Sequence, residues 1–221
     1  MKEGWIFVQR KKVRLAPTRR VIGGALPALL ALSAILLSGC SNPSDAATLK
    51  SGKVTVQQVQ TSVSTILQER ITFNTMPQDG FTGEALTRNQ LEFHIFSALL
   101  TQAAKERKVF ALPGEIAARR AEILQNVGGE EALSKALVNA GIASLDLDKY
   151  LALIVLQDKL RAVVAPGATE DAQVIQALQK MLTETAVAQK LTVNPRYGIW
   201  NTTTNKVDPV DPTGGALPAS K

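Results

Sequence analysis

The chain has few of the side chains that build catalytic and metal centres. Its 221 residues include a single histidine, His94, and a single cysteine, Cys40. Zinc sites need three or four ligands, and His94 has no Cys or His partner at ligand spacing. There is also no glycine-rich phosphate loop after a strand and no Gly-x-Ser-x-Gly motif. We therefore expect no catalytic residue, no metal and no cofactor, and we interpret His94 as a packed or rim residue of its helix.

A basic surface is also missing from the part of the chain that follows the cysteine. The whole sequence has a net charge of +6, with 25 Lys and Arg against 19 Asp and Glu. Seven of these bases and one of these acids precede Cys40, which leaves eighteen of each from there onward. A neutral domain does not indicate nucleic-acid binding. The domain also lacks disulfides, which roughly 150 residues can do without because they bury about two thirds of their unfolded surface.

The first 40 residues have the layout of a secretory signal. A basic run at 10–20 precedes a stretch without charged residues at 21–40. This stretch ends in Leu37-Ser38-Gly39-Cys40, which resembles the lipobox of bacterial lipoproteins. That resemblance implies that the Cys40 thiol is acylated and that Cys40 becomes the membrane-anchored N-terminus. The alternative is that about 19 apolar or small residues remain as a membrane-spanning helix. In either case the rest of the chain is expected on the extracytoplasmic face of the cell membrane.

Composition divides the chain into four expected segments. A signal peptide at 1–40 is followed by a flexible tether at 41–51, which is small, polar and interrupted by Pro43. A helical domain is expected at 52–200. The remaining residues, 201–221, are rich in Pro and Gly with few large apolar side chains, so they are expected to form a disordered tail.

Apolar residues spaced three and four apart predict an all-α domain of about six helices around a long central helix. Thr55 is the expected N-cap of the first helix, and Ser144 or Asp146 the cap of the fifth. Short β segments are expected at about 52–55 and 191–200. The helices are expected at about 56–73, 86–109, 113–126, 130–140, 146–164 and 169–190.

The second and fifth helices carry more apolar residues than one packed layer requires. One interpretation is that all of them belong to the core. The other is that some line a groove that accepts apolar peptide segments. The candidate peptide-binding residues are Phe93, Phe96, Leu99, Leu100, Leu151, Ile154 and Val155.

The order of these features resembles the N-terminal chaperone domain of SurA-type foldases, in the group that shares the peptide-binding helical domain of trigger factor. The resemblance covers roughly residues 53–200. It implies a last long helix that returns to the first segments, pairing between short N- and C-terminal strands, and binding of unfolded exported polypeptides. Many relatives insert a parvulin prolyl-isomerase module before that helix, whereas only residues 165–168 separate the helices here. Ser51 also stands where the similar domains usually have an asparagine, directly before the opening glycine, Gly52. The similar stretches are Gly52-Lys53-Val54-Thr55, residues 91–104, Leu112-Pro113-Gly114-Glu115-Ile116, Gly141-Ile142, residues 145–160 and Val193-Asn194-Pro195-Arg196-Tyr197-Gly198-Ile199-Trp200.

The sequence thus predicts a membrane-anchored, extracytoplasmic lipoprotein that binds unfolded or exported polypeptides in the manner of a chaperone. Because the parvulin module is missing, no prolyl isomerase activity is expected. The alternative is a non-catalytic cell-envelope adaptor that uses the same helices to bind one specific folded partner.

Overall fold

The structure, a computed structural model, describes residues 44–77 and 81–210, which form a mainly α-helical domain. The predicted helical fold is confirmed, and the helix bounds agree with the predicted ones to about one turn. A short 3-10 helix, Ser144–Asp146, precedes the fifth helix. Within residues 44–77 and 81–210, the six α-helices are α1 (Val56–Phe73), α2 (Gly83–Glu106), α3 (Pro113–Val127), α4 (Glu130–Asn139), α5 (Leu147–Val164) and α6 (Asp171–Ala188).

Helix α1 begins where the sequence predicts, because Thr55 and Gln58 form a capping box. The Gln58 amide donates to Thr55 Oγ1 at 3.1 Å, and the Thr55 amide donates to Gln58 Oε1 at 2.8 Å. The helix ends at Asn74, whose φ of 49° turns the chain into the left-handed region. Both signals are local in sequence.

Five short strands accompany the helices in the described part of the chain. Strands β1 (Asp45–Leu49), β2 (Gly52–Thr55) and β3 (Thr192–Val193) form an antiparallel sheet in the order β2-β1-β3. Strands β4 (Ile199–Asn201) and β5 (Lys206–Asp208) form a separate hairpin. The chain after α6 therefore returns to the chain before α1, and the Lys50 amide donates to the Gln189 carbonyl at 2.8 Å.

Two segment boundaries predicted from composition are wrong. Strand β1 lies inside the expected tether at 41–51, and its residues Ala46 and Ala47 are buried. It is ordered because its backbone pairs with strands on both sides, one of them almost 150 residues further along the chain. Strand β5 lies inside the expected disordered tail at 201–221, where Val207 is buried and its amide donates to Glu92 Oε1 at 2.8 Å.

Helix α2 is the spine of the domain, as expected. It contacts α1, α5 and α6 as well as strands β1 and β2. Its buried side chains join those of α5, α6 and the sheet in the main hydrophobic core. A second apolar cluster lies between α3, α4 and the start of α5, with Leu133, Leu137, Leu147 and Leu151 at its centre.

Residues 1–43, 78–80 and 211–221 lie outside the described part of the chain. The expected signal segment, the expected lipidation of Cys40 and the last part of the expected tail fall there. Within 44–77 and 81–210, no helix is both long enough and apolar enough to cross a bilayer.

Candidate functional site

The predicted peptide groove is largely occupied by the domain itself. Leu99, Leu100, Leu151 and Val155 are buried, so a peptide could reach them only if the domain opened. Phe93, Phe96 and Ile154 are half-buried. The predicted residues therefore lie on two helices, α2 and α5, that pack against each other. Only three of the seven side chains are partly accessible to solvent.

The prediction from the sequence overestimated how much apolar helix surface is left outside the core. The sequence does not show how many helices and strands pack against α2. A helix that packs on several sides uses a wide apolar arc for its own core. Phe93 and Phe96 both pack against the main core. The apolar side chains of α2 that suggested a groove therefore pack against α1, α5, α6 and the sheet.

Large apolar side chains are exposed elsewhere, on the outer face of α1. Leu67 and Ile71 are 47% and 75% exposed, and Met76, just beyond the helix, is 84% exposed. Because Leu67 and Ile71 are four residues apart, they lie on one face of the helix. We call this pair the α1 stripe. Both residues continue the apolar spacing of α1, whereas the buried residues of this helix are Val59, Ser62, Ile66 and Arg70.

A cleft of about 260 Å³ opens between α3, α4 and the start of α5. Its apolar lining includes three buried leucines, Leu133, Leu137 and Leu147, and one leucine, Leu145, that is 52% exposed. The polar lining consists of Arg120, Glu130, Ser134, Ser144 and Asp148. We call this site the α4 cleft.

Charged groups of both signs stand at the α4 cleft. Arg120 Nη2 lies 3.2 Å from Glu130 Oε2, and Arg120 Nη1 lies 3.9 Å from Asp148 Oδ1. The two carboxylate side chains are mostly exposed, so these ion pairs are worth little in stability. These charged side chains instead act on any charged group that approaches the cleft from solvent.

A buried polar cluster joins α1, α2 and the start of α5. Ser62 Oγ donates to Asp146 Oδ2 at 2.6 Å and lies 3.0 Å from His94 Nε2. Lys149 Nζ donates to Asp146 Oδ1 at 2.9 Å and lies 3.3 Å from His94 Nδ1. The Phe93 ring lies edge-on to His94, with 5.3 Å between ring centroids.

The partners in this cluster define one neutral form of the histidine. Since the Ser62 hydroxyl proton goes to Asp146, Ser62 Oγ is free to accept from His94 Nε2–H. His94 Nδ1 then accepts from the Lys149 ammonium. Burial, and after it the positive charge of Lys149, lower the pKa of His94 to about 4. The histidine is therefore neutral and tightly packed at neutral pH, in line with the interpretation of His94 as a packed residue.

Ser62, His94 and Asp146 are residue types of a hydrolytic triad, but their arrangement differs from one. The carboxylate binds the serine, whereas in a triad it orients the histidine. Ser62 is 0% exposed, so no substrate carbonyl can reach its hydroxyl. What the cluster can do is hold the 3-10 helix against α1. Sequence reasoning missed it because its members are 32 and 84 residues from Ser62, and Asp146 was expected to cap α5.

The described residues contain no group of three or more His, Cys, Asp or Glu side chains that could hold a metal ion. Comparisons of this chain with protein families, with curated proteins and with solved structures give no match. The features that bear on function are the sequence motifs, the exposed α1 stripe and the α4 cleft.

Proposed function

We propose that this chain is a membrane-anchored, extracytoplasmic lipoprotein that binds unfolded or exported polypeptides without catalysing a reaction. The apolar leader and its lipobox at Cys40 support the anchoring. The resemblance in motif order to SurA-type chaperone domains supports polypeptide as the ligand. Tethering close to the bilayer raises the effective concentration of the domain for chains that emerge there.

The observation that carries this proposal is the exposed α1 stripe. Unfolded polypeptides differ from folded ones chiefly in exposing apolar side chains, and an apolar surface binds them through the hydrophobic effect. Leu67 and Ile71 supply such a surface on a helix whose other face is fixed in the core. The stripe takes the role that the sequence had assigned to a groove on α2 and α5.

The experiment is aggregation suppression by the full chain reconstituted in lipid nanodiscs. Several unrelated denatured proteins are diluted into buffer with the wild type, with a Leu67→Ser/Ile71→Ser variant, or with an Ile175→Ser control. Ile175 is 50% exposed on α6, so its substitution removes apolar surface away from the stripe. We expect the wild type and the control to suppress aggregation and the stripe variant to lose most of this effect. Failure of the wild type on every client would refute the proposal.

The second candidate function is a cell-envelope adaptor for one folded partner. The burial of Leu99, Leu100, Leu151 and Val155 favours it, because a prepacked domain presents fixed helix faces instead of an adaptable groove. The same assay separates the two: an adaptor would leave all the denatured clients unprotected.

A further inference from the structure

We propose that the outer face of the three-stranded sheet lies against an anionic lipid surface and holds the anchored domain in one orientation. The partner is the layer of negatively charged phospholipid headgroups around the anchor. This inference rests on the lipid anchor at Cys40, which is part of the proposed function. It adds a second contact with the membrane, made by the folded domain itself.

The chain between the anchor and the sheet is too short to separate them. Only residues 41–43 lie between Cys40 and Ser44, which directly precedes β1. The start of β1 is buried and paired with β2, so the ordered domain begins there. Four residues of fully extended chain span at most about 14 Å. An acylated Cys40 therefore keeps this end of the sheet close to the bilayer surface.

The sheet has one face in the core and one open face. The side chains on the core face, which stand opposite one another in register, are the buried Ala47, Val54 and Val193. Successive side chains of a strand point to opposite faces, so the next register position, Thr48 with Lys53 and Thr192, forms the outer face. Lys53 and Thr192 are exposed, and Thr48 is half-buried. The outer face is therefore polar and accessible.

Positive charge is concentrated in the segments that form and follow the sheet. Residues 44–55 and 189–210 contain five Lys and Arg against two Asp, a net charge of +3. The helical rest of the described chain, 56–77 and 81–188, contains twelve Lys and Arg against fourteen Asp and Glu, a net charge of −2. An anionic surface attracts the sheet segments and repels the helical ones. A domain that is almost neutral overall is therefore oriented by such a surface.

The cations at the sheet differ in whether the domain already neutralises them. Lys53 pairs with Asp45 at 2.9 Å. Among the described residues, the exposed sheet cations that have no carboxylate within ion-pair distance are Lys50, Lys190 and Arg196. The Lys50 amide donates to the Gln189 carbonyl, which places Lys50 beside Lys190 at one end of the sheet. These unpaired cations leave the sheet with positive charge for an outside partner.

Arg196 lies next to the start of β1, where the anchor chain enters. Asn194 Nδ2 donates to the Asp45 carbonyl at 3.0 Å, and the Arg196 amide donates to Asn194 Oδ1 at 3.1 Å. The Arg196 guanidinium lies 5.5 Å from the centre of the Tyr197 ring, a cation–π contact that orients it. A planar guanidinium binds phosphate through two parallel hydrogen bonds. Arg196 is therefore placed to bind a headgroup phosphate close to the anchor.

Membrane contact through the sheet leaves the α1 stripe available. The Val56 amide donates to the Ser44 carbonyl at 2.8 Å, so α1 begins beside the anchor chain. At 1.5 Å per residue, Leu67 and Ile71 lie about 16 Å and about 22 Å further along the helix axis. The stripe and the outer sheet face are thus separate surfaces, and a lipid and a polypeptide can bind them at the same time.

The test measures energy transfer from a dye on the domain to dyes on lipid headgroups. The full chain, acylated at Cys40, is placed in nanodiscs of phosphatidylcholine alone or of phosphatidylcholine with phosphatidylglycerol. Cys40 is the only cysteine, so one introduced cysteine takes the dye. Thr192→Cys labels the outer sheet face, and Thr72→Cys labels the exposed last turn of α1 as a control. We expect transfer from position 192, but not from position 72, to rise with phosphatidylglycerol and to fall as salt is added.

Charge variants of the Thr192→Cys protein identify the side chains responsible. Each basic residue near an anionic surface strengthens binding by about fivefold, so Lys50→Gln/Arg196→Gln should lower the ratio of docked to undocked domains by about 30-fold. The charge-conserving Lys50→Arg/Arg196→Lys should keep the rise with phosphatidylglycerol. The control Arg88→Gln/Lys135→Gln removes two cations from α2 and α4 and should also keep it. No rise in the wild type, or equal losses in the sheet variant and the control, would overturn the inference.

The outcome for the sheet can be separated from the outcome for the proposed function. If transfer from position 192 ignores phosphatidylglycerol while the chain still suppresses aggregation from the nanodisc, the inference is wrong and the proposed function stands. If denatured clients displace the sheet from the lipid, the sheet is a polypeptide site and the inference is again wrong. If Cys40→Ser leaves attachment to the nanodisc unchanged, the anchor and the inference are both wrong.

Discussion

Lowering the pH should destabilise the domain through His94, and replacing this residue with glutamine should remove that effect. The histidine is 6% exposed, and it faces the Lys149 ammonium on one side and the Ser62 hydroxyl on the other. Its pKa is about 4 in the folded domain, compared with 6.5 for a free side chain. In the unfolded chain the same ring takes up a proton about two and a half pH units earlier.

The direction and the magnitude of the change in the free energy of unfolding follow from this difference in pKa. Between about pH 6.5 and pH 4 the unfolded chain binds a proton that the folded domain does not, so the free energy of unfolding falls as the pH falls. Each pH unit is worth about 1.4 kcal/mol, which gives a loss of about 2.5 kcal/mol between about pH 7 and pH 4.5. Above about pH 7 this contribution is complete and should not change.

The assay is urea unfolding followed by far-ultraviolet circular dichroism at several pH values, for the wild type and His94→Gln. The comparison between the two proteins matters because carboxylates also titrate in this range. Burial raises the pKa of Glu92, for example, which acts in the opposite direction. We expect the wild type to lose about 2.5 kcal/mol more than the variant. Equal pH dependence of the two proteins would refute the assignment of a neutral, buried His94.

Three further predictions concern stability and anchoring. Ser62→Ala should cost about 1.5–3 kcal/mol in urea unfolding because the buried Asp146 carboxylate loses a donor; Ser64→Ala, on the exposed side of α1, should change stability by less than about 0.5 kcal/mol. Leu100→Ala should lower the free energy of unfolding by about 2–5 kcal/mol because it leaves a cavity in the core. A similar loss for Leu67→Ala would contradict the exposure of Leu67. Cys40→Ser should release the protein from membranes and abolish the electrophoretic shift of the lipidated form, and unchanged membrane retention would remove the lipidation claim.

Helix positions could be predicted from the sequence because their signals are local. The capping box of Thr55 and Gln58 lies within one helical turn, and Pro113 occupies the first turn of α3, where its missing amide proton costs nothing. Gly141, which follows the end of α4, has a φ of 68°, the left-handed conformation that favours glycine. Such signals depend only on neighbours along the chain.

The candidate sites could not be predicted in the same way because they depend on distant partners. Whether Leu99 or Leu67 faces solvent is determined by which helices pack on α2 and α1, and periodicity alone does not reveal that. Strand β1 is a short run of mostly small residues, DAATL, and it is ordered by pairing with β2 and with β3, which lies near the other end of the chain. The α4 cleft likewise forms only when Arg120 on α3 meets Glu130 on α4 and Asp148 on α5.

The central claim is that an anchored domain binds exported polypeptides at the α1 stripe. The most direct measurement is photo-crosslinking in living cells, with a photoreactive amino acid in place of Ile71 and, as a control, in place of Ile175. We expect crosslinks from position 71 to many different exported polypeptides, few from position 175, and loss of both when Cys40 is also replaced by serine. Crosslinks to a single folded envelope protein, or none above the control, would contradict it.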